Sequence, residues 1–143
     1  MIFSIKVNMN QETDMPMRIT REEVLERTRG MLQKQFYVVF TTPAGSLERV
    51  LENVPEHLVH QCRIEREGIL VAAGPQMTDD GKHWEGDGMF VIRASSLEHA
   101  RELAASDPMH QSGARSFTVR PWLVNEGRLN IQIDFSTGMM TLD

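Results

Sequence analysis

Hydrophobic and polar positions alternate at the start of the chain, with Phe3, Ile5, Val7 and Met9 on one side and Ser4, Lys6 and Asn8 on the other. This is the two-residue period of a half-buried strand. After a polar loop containing Pro16, "TREEVLERTRGML" sets Val24, Leu25, Thr28, Met31 and Leu32 at helical spacing. Thr20 and Glu23 stand three residues apart, so each can bond the other's backbone amide in a capping box. "FYVVFTT", Phe36 to Thr42, is rich in β-branched and aromatic residues and stops at Pro43 and Gly45, which predicts an interior strand closed by a turn.

A helix follows whose apolar face comprises Leu47, Val50, Leu51 and Val54, extended by Leu58 and Cys62, with Pro55 as a kink or restart and Gly68 as the stop. "ILVAAGP" is an unbroken apolar run, the pattern of a central strand. "MTDDGKHWEGDG" reads as a polar loop and "MFVIRA" as a further strand. Ser95 and Glu98 form a second capping box, ahead of a helix whose Leu97, Ala100 and Ala104 face the core and which must end before Pro108. "SFTVRPWLV" is strand-like, with Pro121 placing it near an edge or bulge. The Asn125-Glu126-Gly127 turn then leads into the alternating "RLNIQIDF", a hairpin signal, before a loose tail from Ser136 to Asp143.

From Phe36 to Val124 the order is β-α-β, β-α-β, so the expected fold class is α+β: a ferredoxin-like βαββαβ sandwich. One sheet face would be bare and apolar, which marks association. A dimer packed sheet to sheet into an α+β barrel is therefore expected. The chain reads as a single domain: a core over 36–124, an N-terminal β-α extension over 1–35, and a C-terminal hairpin strand and tail over 125–143.

Composition narrows the function. With 143 residues there is room for one real core. The net charge of −5 and the lack of a dense Lys/Arg cluster exclude nucleic acid as a partner. No apolar run approaches a bilayer span, and the start lacks a signal peptide's pattern. A cytoplasmic protein without membrane association is expected. The single cysteine, Cys62, lies in the helical stripe and reads as a packed thiol rather than a nucleophile.

His57, seventeen residues before Gly74, together with "GILVAAGP", "GMFVIRASSLEHARELAASDP" and a final strand containing "VRPW", resembles the YciI-like (YCII-related) family over Phe36 to Trp122. The resemblance implies a dimeric α+β barrel and a His-Asp pair in a cleft between sheet and helix, carried here by His57 and Asp107. A shorter stretch, "MIFSIKVNMNQETDM", resembles the N-terminal strand and loop of muconolactone isomerases. Together the two imply a cofactor-independent lyase or isomerase acting on small unsaturated or aromatic carbonyl or hydroxy compounds, including dehydrochlorination or lactone isomerisation.

The residues support that chemistry on their own terms. A carboxylate bonded to one imidazole nitrogen fixes the tautomer and leaves the other to take a proton. Asp107 before Pro108 can equally cap a helix, and His57 can be an ordinary polar residue at a helix flank. Gly74, Pro75, Arg93, His110 and Trp122 are the candidate substrate-binding residues, with Arg120 a further candidate anion anchor. His57 and His60 share a helix face, but no third ligand stands at metal-site spacing, so no metal is expected. Asp79-Asp80-Gly81 lacks the downstream ligands of a calcium loop, and the loop with His83 and Trp84 is either a lid or a solvated connection. The rival function is a small-ligand-binding or assembly module on the same dimeric fold, since fold alone does not choose.

Overall fold

The computed structural model describes residues 17–143; the alternating stretch Phe3 to Met9 lies outside them. Helix α1, Arg21–Arg27, begins where the capping box places it. The Thr20 hydroxyl accepts from the Glu23 amide, and the Glu23 carboxylate accepts from the Thr20 amide. The helix ends earlier than its apolar spacing suggests. Thr28 is the C-cap and Gly30 turns at φ +89°, a conformation that glycine adopts without a Cβ penalty. Met31 and Leu32 are left exposed beyond it.

The core follows as β1 (Lys34–Pro43), α2 (Leu47–Arg66), β2 (Leu70–Met77), β3 (Trp84–Ile92), α3 (Leu97–Ala105), the one-turn α4 (Pro108–Gln111) and β4 (Arg115–Val124). The four strands form an antiparallel sheet in the order β2-β3-β1-β4. Interleaving two βαβ units in this order is the ferredoxin-like arrangement. β1 is interior, as its β-branched run predicts, and Pro121 lies in the edge strand β4, where a missing donor is tolerated.

Side chains alternate across the sheet. Tyr37, Val39, Phe90 and Ile92 point to the helices and pack with Ala100 and Ala104 of α3, joined by Phe117 and Val119 of β4. A smaller cluster joins Val50 of α2 to Met109 and Ala114. On the other face, Phe40 lies opposite Met89 and Phe36 opposite Trp122, and Phe40, Met89 and Trp122 are exposed.

Several expectations are corrected. β2 is an edge strand, exposed beyond Leu70; an unbroken apolar run does not reveal whether both of its faces are covered. α2 runs through Pro55 as one helix, and it buries Val50, His60, Gln61 and Ile64 while Leu51 and Leu58 stay exposed. On that side of the helix Gln61 Nε2 donates to the buried Asp107 carboxylate. The cap of α3 is Ser96, whose hydroxyl accepts from the His99 amide, one residue after the predicted Ser95; His99 Nδ1 accepts from the Ser95 amide in place of the expected glutamate.

β3 begins at Trp84, so the polar connection is only Thr78 to His83. The C-terminal stretch does not pair with β4: β5 (Ile131–Ile133) pairs with β6 (Met140–Leu142), which lies in the supposed loose tail. Among the described residues no helix is long and apolar enough to cross a membrane.

Candidate active site

Asp107 sits in the joint between α3 and α4. Ser106 closes α3, and Pro108, whose lack of an amide hydrogen is harmless at a first helical position, opens α4. Asp107 is therefore the N-cap, and its carboxylate accepts from the Met109 amide at 2.9 Å. The side chain is only 1% exposed, and the rest of its hydrogen-bonding capacity is directed at α2. His57 Nδ1 lies 2.8 Å and 2.9 Å from the two carboxylate oxygens, and Gln61 Nε2 donates at 3.0 Å. His57 and Gln61 are one helical turn apart, so a single carboxylate meets both.

An ionised carboxylate only accepts, so Nδ1 carries a ring proton, and in the neutral imidazole the lone pair is on Nε2. Burial is the largest influence on Asp107 and opposes its ionisation. The hydrogen bond and charge of His57, the Met109 amide and the charge of His110 together outweigh it, and the carboxyl titrates below its ordinary range.

His57 lies on the wall of a cavity of about 470 Å³ between α2 and the sheet. α2 also contributes Leu58, Gln61 and Cys62, and β2 contributes Gly74 and Pro75. Trp84 and Phe90 of β3 and Arg115 of β4 complete the part that bears on chemistry. The walls are chiefly apolar, as in most small-molecule sites. Cys62 is exposed, not packed; the space beneath its side of α2 is cavity instead of core.

The other candidate residues lie elsewhere. Arg93 stacks over the Phe36 ring at 5.5 Å and donates to the Gly68 carbonyl, so strand alternation carries it away from the cavity. Trp122, opposite Phe36, shares that face, as does Arg120 opposite Val38. His60 Nδ1 accepts from Arg63. His83 stands beside Asp80 in the exposed connection. Among the described residues no three His, Cys, Asp or Glu side chains gather as a metal site would require.

His110 is a support and not part of the lining. It is held between Phe90 and Phe117. Its Nδ1 donates to the Ala104 carbonyl at 2.6 Å, and its Nε2 accepts from the Thr41 hydroxyl at 2.8 Å. Burial lowers its pKa from 6.5; the Ala104 bond and the Asp107 charge oppose this, while the charges of His57 and Arg115 add to it.

The folded protein thus resists a proton that the unfolded chain accepts below about pH 6.5. Stability is expected to fall as pH drops from 6.5 toward 5, by at most about 1.4 kcal/mol per pH unit for one such group. His60, also lowered by burial, acts in the same direction. Thermal unfolding across this range is expected to show a smaller slope in His110→Gln than in the wild type, and an unchanged slope would remove His110 from the account.

Arg115 and Gln61 are among the cavity residues that the sequence does not single out. The signals were present. Arg115, Phe117 and Val119 alternate on one face of β4, two of them in the core, so the arginine must point the same way. Gln61 continues the helical series Val50, Val54, His57, Ile64.

An uncharacterised protein, YjpA from Bacillus subtilis (strain 168), is 34% identical over 71 residues, 50% of this chain and 76% of the relative. A solved structure, the 5-chloro-2-hydroxyhydroquinone dehydrochlorinase TftG from Burkholderia phenoliruptrix AC1100 in complex with 2,5-dihydroxybenzoquinone, superposes with a TM-score of 0.49 at 20% identity, over 62% of this chain and 93% of that one. The YCII-related domain matches residues 35–123, the span of the four-stranded sheet and its helices, and the chain belongs to the YCII-related family.

Proposed function

We propose that the cavity is an active site for proton transfer on a small unsaturated or aromatic carbonyl or hydroxy compound, with His57 as general base and Asp107 as the residue that orients it. The observation that carries this reading is the 2.8 Å contact between His57 Nδ1 and a buried carboxylate on the wall of an apolar cavity. With Nδ1–H held by Asp107, Nε2 is the nitrogen able to accept a proton, and the carboxylate stabilises the imidazolium that results.

Nε2 takes a proton from a carbon next to a carbonyl, and the C–H electron pair moves into the carbonyl as an enolate. If the imidazolium returns the proton to another carbon, the outcome is an isomerisation. If the enolate's electron pair instead expels a leaving group from the β carbon, such as halide, the outcome is an elimination. Both courses need only groups of the chain. The exposed Phe40, Met89 and Trp122 on the far sheet face support pairing with a second copy there, so the working form is taken as a homodimer.

The test is exchange of carbon-bound hydrogen in D₂O, followed by proton NMR over a panel of small enolisable ketones and unsaturated lactones. The wild type is expected to accelerate exchange of at least one compound over buffer, and His57→Gln to slow it by about 10²-fold or more. A compound that binds the wild type in the cavity without accelerated exchange would favour the binding-module function instead.

A further inference from the structure

Arg115 is 6% exposed and lies on the cavity wall. Its guanidinium stacks 5.5 Å from the centre of the Trp84 ring, and a Cβ built on Gly88 would sit 3.6 Å from one of its terminal nitrogens. It is therefore wedged between an aromatic face and bare backbone. Among the described residues it forms no ion pair, those present linking other groups; the carboxylates of Asp107 and Asp87 favour its charge only from beyond ion-pair distance, and its buried Nε has no hydrogen-bond partner. Buried cations are normally paired, because removing one from water is costly.

The same cavity holds a second unmet group. Gln61 Nε2 donates to Asp107, and since a carboxylate has nothing to donate, this fixes which end of the amide faces it. The other end, Oε1, is buried without a partner. Besides His57 Nε2 and the exposed carboxylate of Glu65, the cavity thus presents a buried cation outside any ion pair and a buried acceptor without a partner, complementary to a ligand with one anionic oxygen and one donor on a flat apolar body.

We propose that this site binds an organic anion, with Arg115 gripping an anionic oxygen through its guanidinium while Gln61 Oε1 accepts a hydrogen bond from a hydroxyl of the same molecule. The inference rests on the cavity being the substrate site described above, and not on His57 acting as a base. It narrows the substrate class to small hydroxylated carboxylates or phenolates. An arginine fork suits a carboxylate best, because both oxygens can be met in parallel.

Calorimetric titration with two isosteric probes tests it. Salicylate carries both features, whereas salicylamide keeps the ring and hydroxyl and lacks the charge. Wild-type protein is expected to bind salicylate at least 10-fold more tightly than salicylamide. That gap is expected to vanish in Arg115→Met, narrow in Arg115→Lys, and persist in His57→Gln even though exchange chemistry is lost there. A persistent gap with no proton exchange in the wild type would leave the anion site standing and remove the proton-transfer reading.

4-Nitrocatechol, which as its monoanion carries one phenolate beside one hydroxyl, separates the two sources of anionic oxygen: preference for it over salicylate assigns the site to phenolates, and the reverse to carboxylates. Equal affinity of the wild type for salicylate and salicylamide would overturn the proposal, as would a gap that survives Arg115→Met or failure of all three probes to bind. Arg115→Met is expected to unfold at the wild-type temperature or above, since it removes a buried charge that no ion pair holds. A lower unfolding temperature would assign the arginine to structure and overturn the proposal too.

Discussion

Asp107→Ala is expected to lower the unfolding free energy by about 3–5 kcal/mol, the scale seen when one member of a buried charged pair is removed. The magnitude follows from what the carboxylate holds. Its loss strands the Met109 amide, Gln61 Nε2 and His57 Nδ1, and buried donors without acceptors each cost about 1–3 kcal/mol. It also removes the N-cap of α4, worth about 1 kcal/mol. The expected drop in the thermal midpoint is about 10 °C or more, and a midpoint within 2 °C of wild type would refute this account of the joint.

Asp107→Asn separates folding from chemistry. Asparagine caps a helix as well as aspartate does, so the variant is expected to fold with a drop of only a few degrees. It lacks the charge that stabilises an imidazolium, and its amide nitrogen would meet the donors Gln61 or His57. Proton exchange is expected to fall by about 10²-fold or more. Retained exchange in a folded Asp107→Asn protein would remove the carboxylate from the chemistry.

The second large effect is expected at Gly86, in the strand segment between Trp84 and Gly88. Its φ of +101° is unfavourable for any residue with a Cβ, and a Cβ there would lie 2.5 Å from Pro43 Cγ and 3.2 Å from Leu47 Cδ1. Gly86→Ala combines left-handed strain of about 1–2 kcal/mol with overpacking of about 1–3 kcal/mol, roughly 3 kcal/mol together. Gly81 is the control: it has φ +69° with nothing within 4 Å of an added Cβ, so Gly81→Ala carries the backbone strain alone. Urea denaturation is expected to rank Gly86→Ala clearly below Gly81→Ala, and equal losses would mean that Pro43 and Leu47 yield freely.

Local signals were legible in the sequence wherever a short-range rule decides the outcome. The Thr20–Glu23 box, the stop at Gly68, the β-branched run of β1 and the break at Pro108 each depend on a few neighbouring residues. Their order was enough for the split sheet. What pairs at a distance was harder to read. Nothing local tells Ile131–Ile133 to choose Met140–Leu142 over β4, and the apolar run of β2 carries the same letters at an edge as it would in the centre.

The candidate site divides in the same way. His57 and Asp107 were singled out through a family resemblance, and the fold brings them within hydrogen-bonding distance. Arg93 and Trp122 were chosen without a strand face and lie away from the cavity. His110 was read as lining, but two aromatic rings hold it behind Thr41. Arg115 stands one residue before the strand that the sequence pattern delimits at Ser116, and only the observed start of β4 at Arg115 sets it in alternation with Phe117 and Val119, pointing inward.

Pro55 gives α2 one further property. Having no amide hydrogen, it leaves the Leu51 carbonyl without its rung in the helical ladder, so the helix is a beam with a notch just before His57. The two ends are clamped by different neighbours: Val50 lies among Met109 and Ala114, and Ile64 is tied through its carbonyl to Ile69 at the start of the sheet crossover. Compliance in this beam is therefore concentrated beside the imidazole, whose Nδ1 is fastened to Asp107, so small adjustments of the ring can be absorbed at the notch without disturbing either clamp.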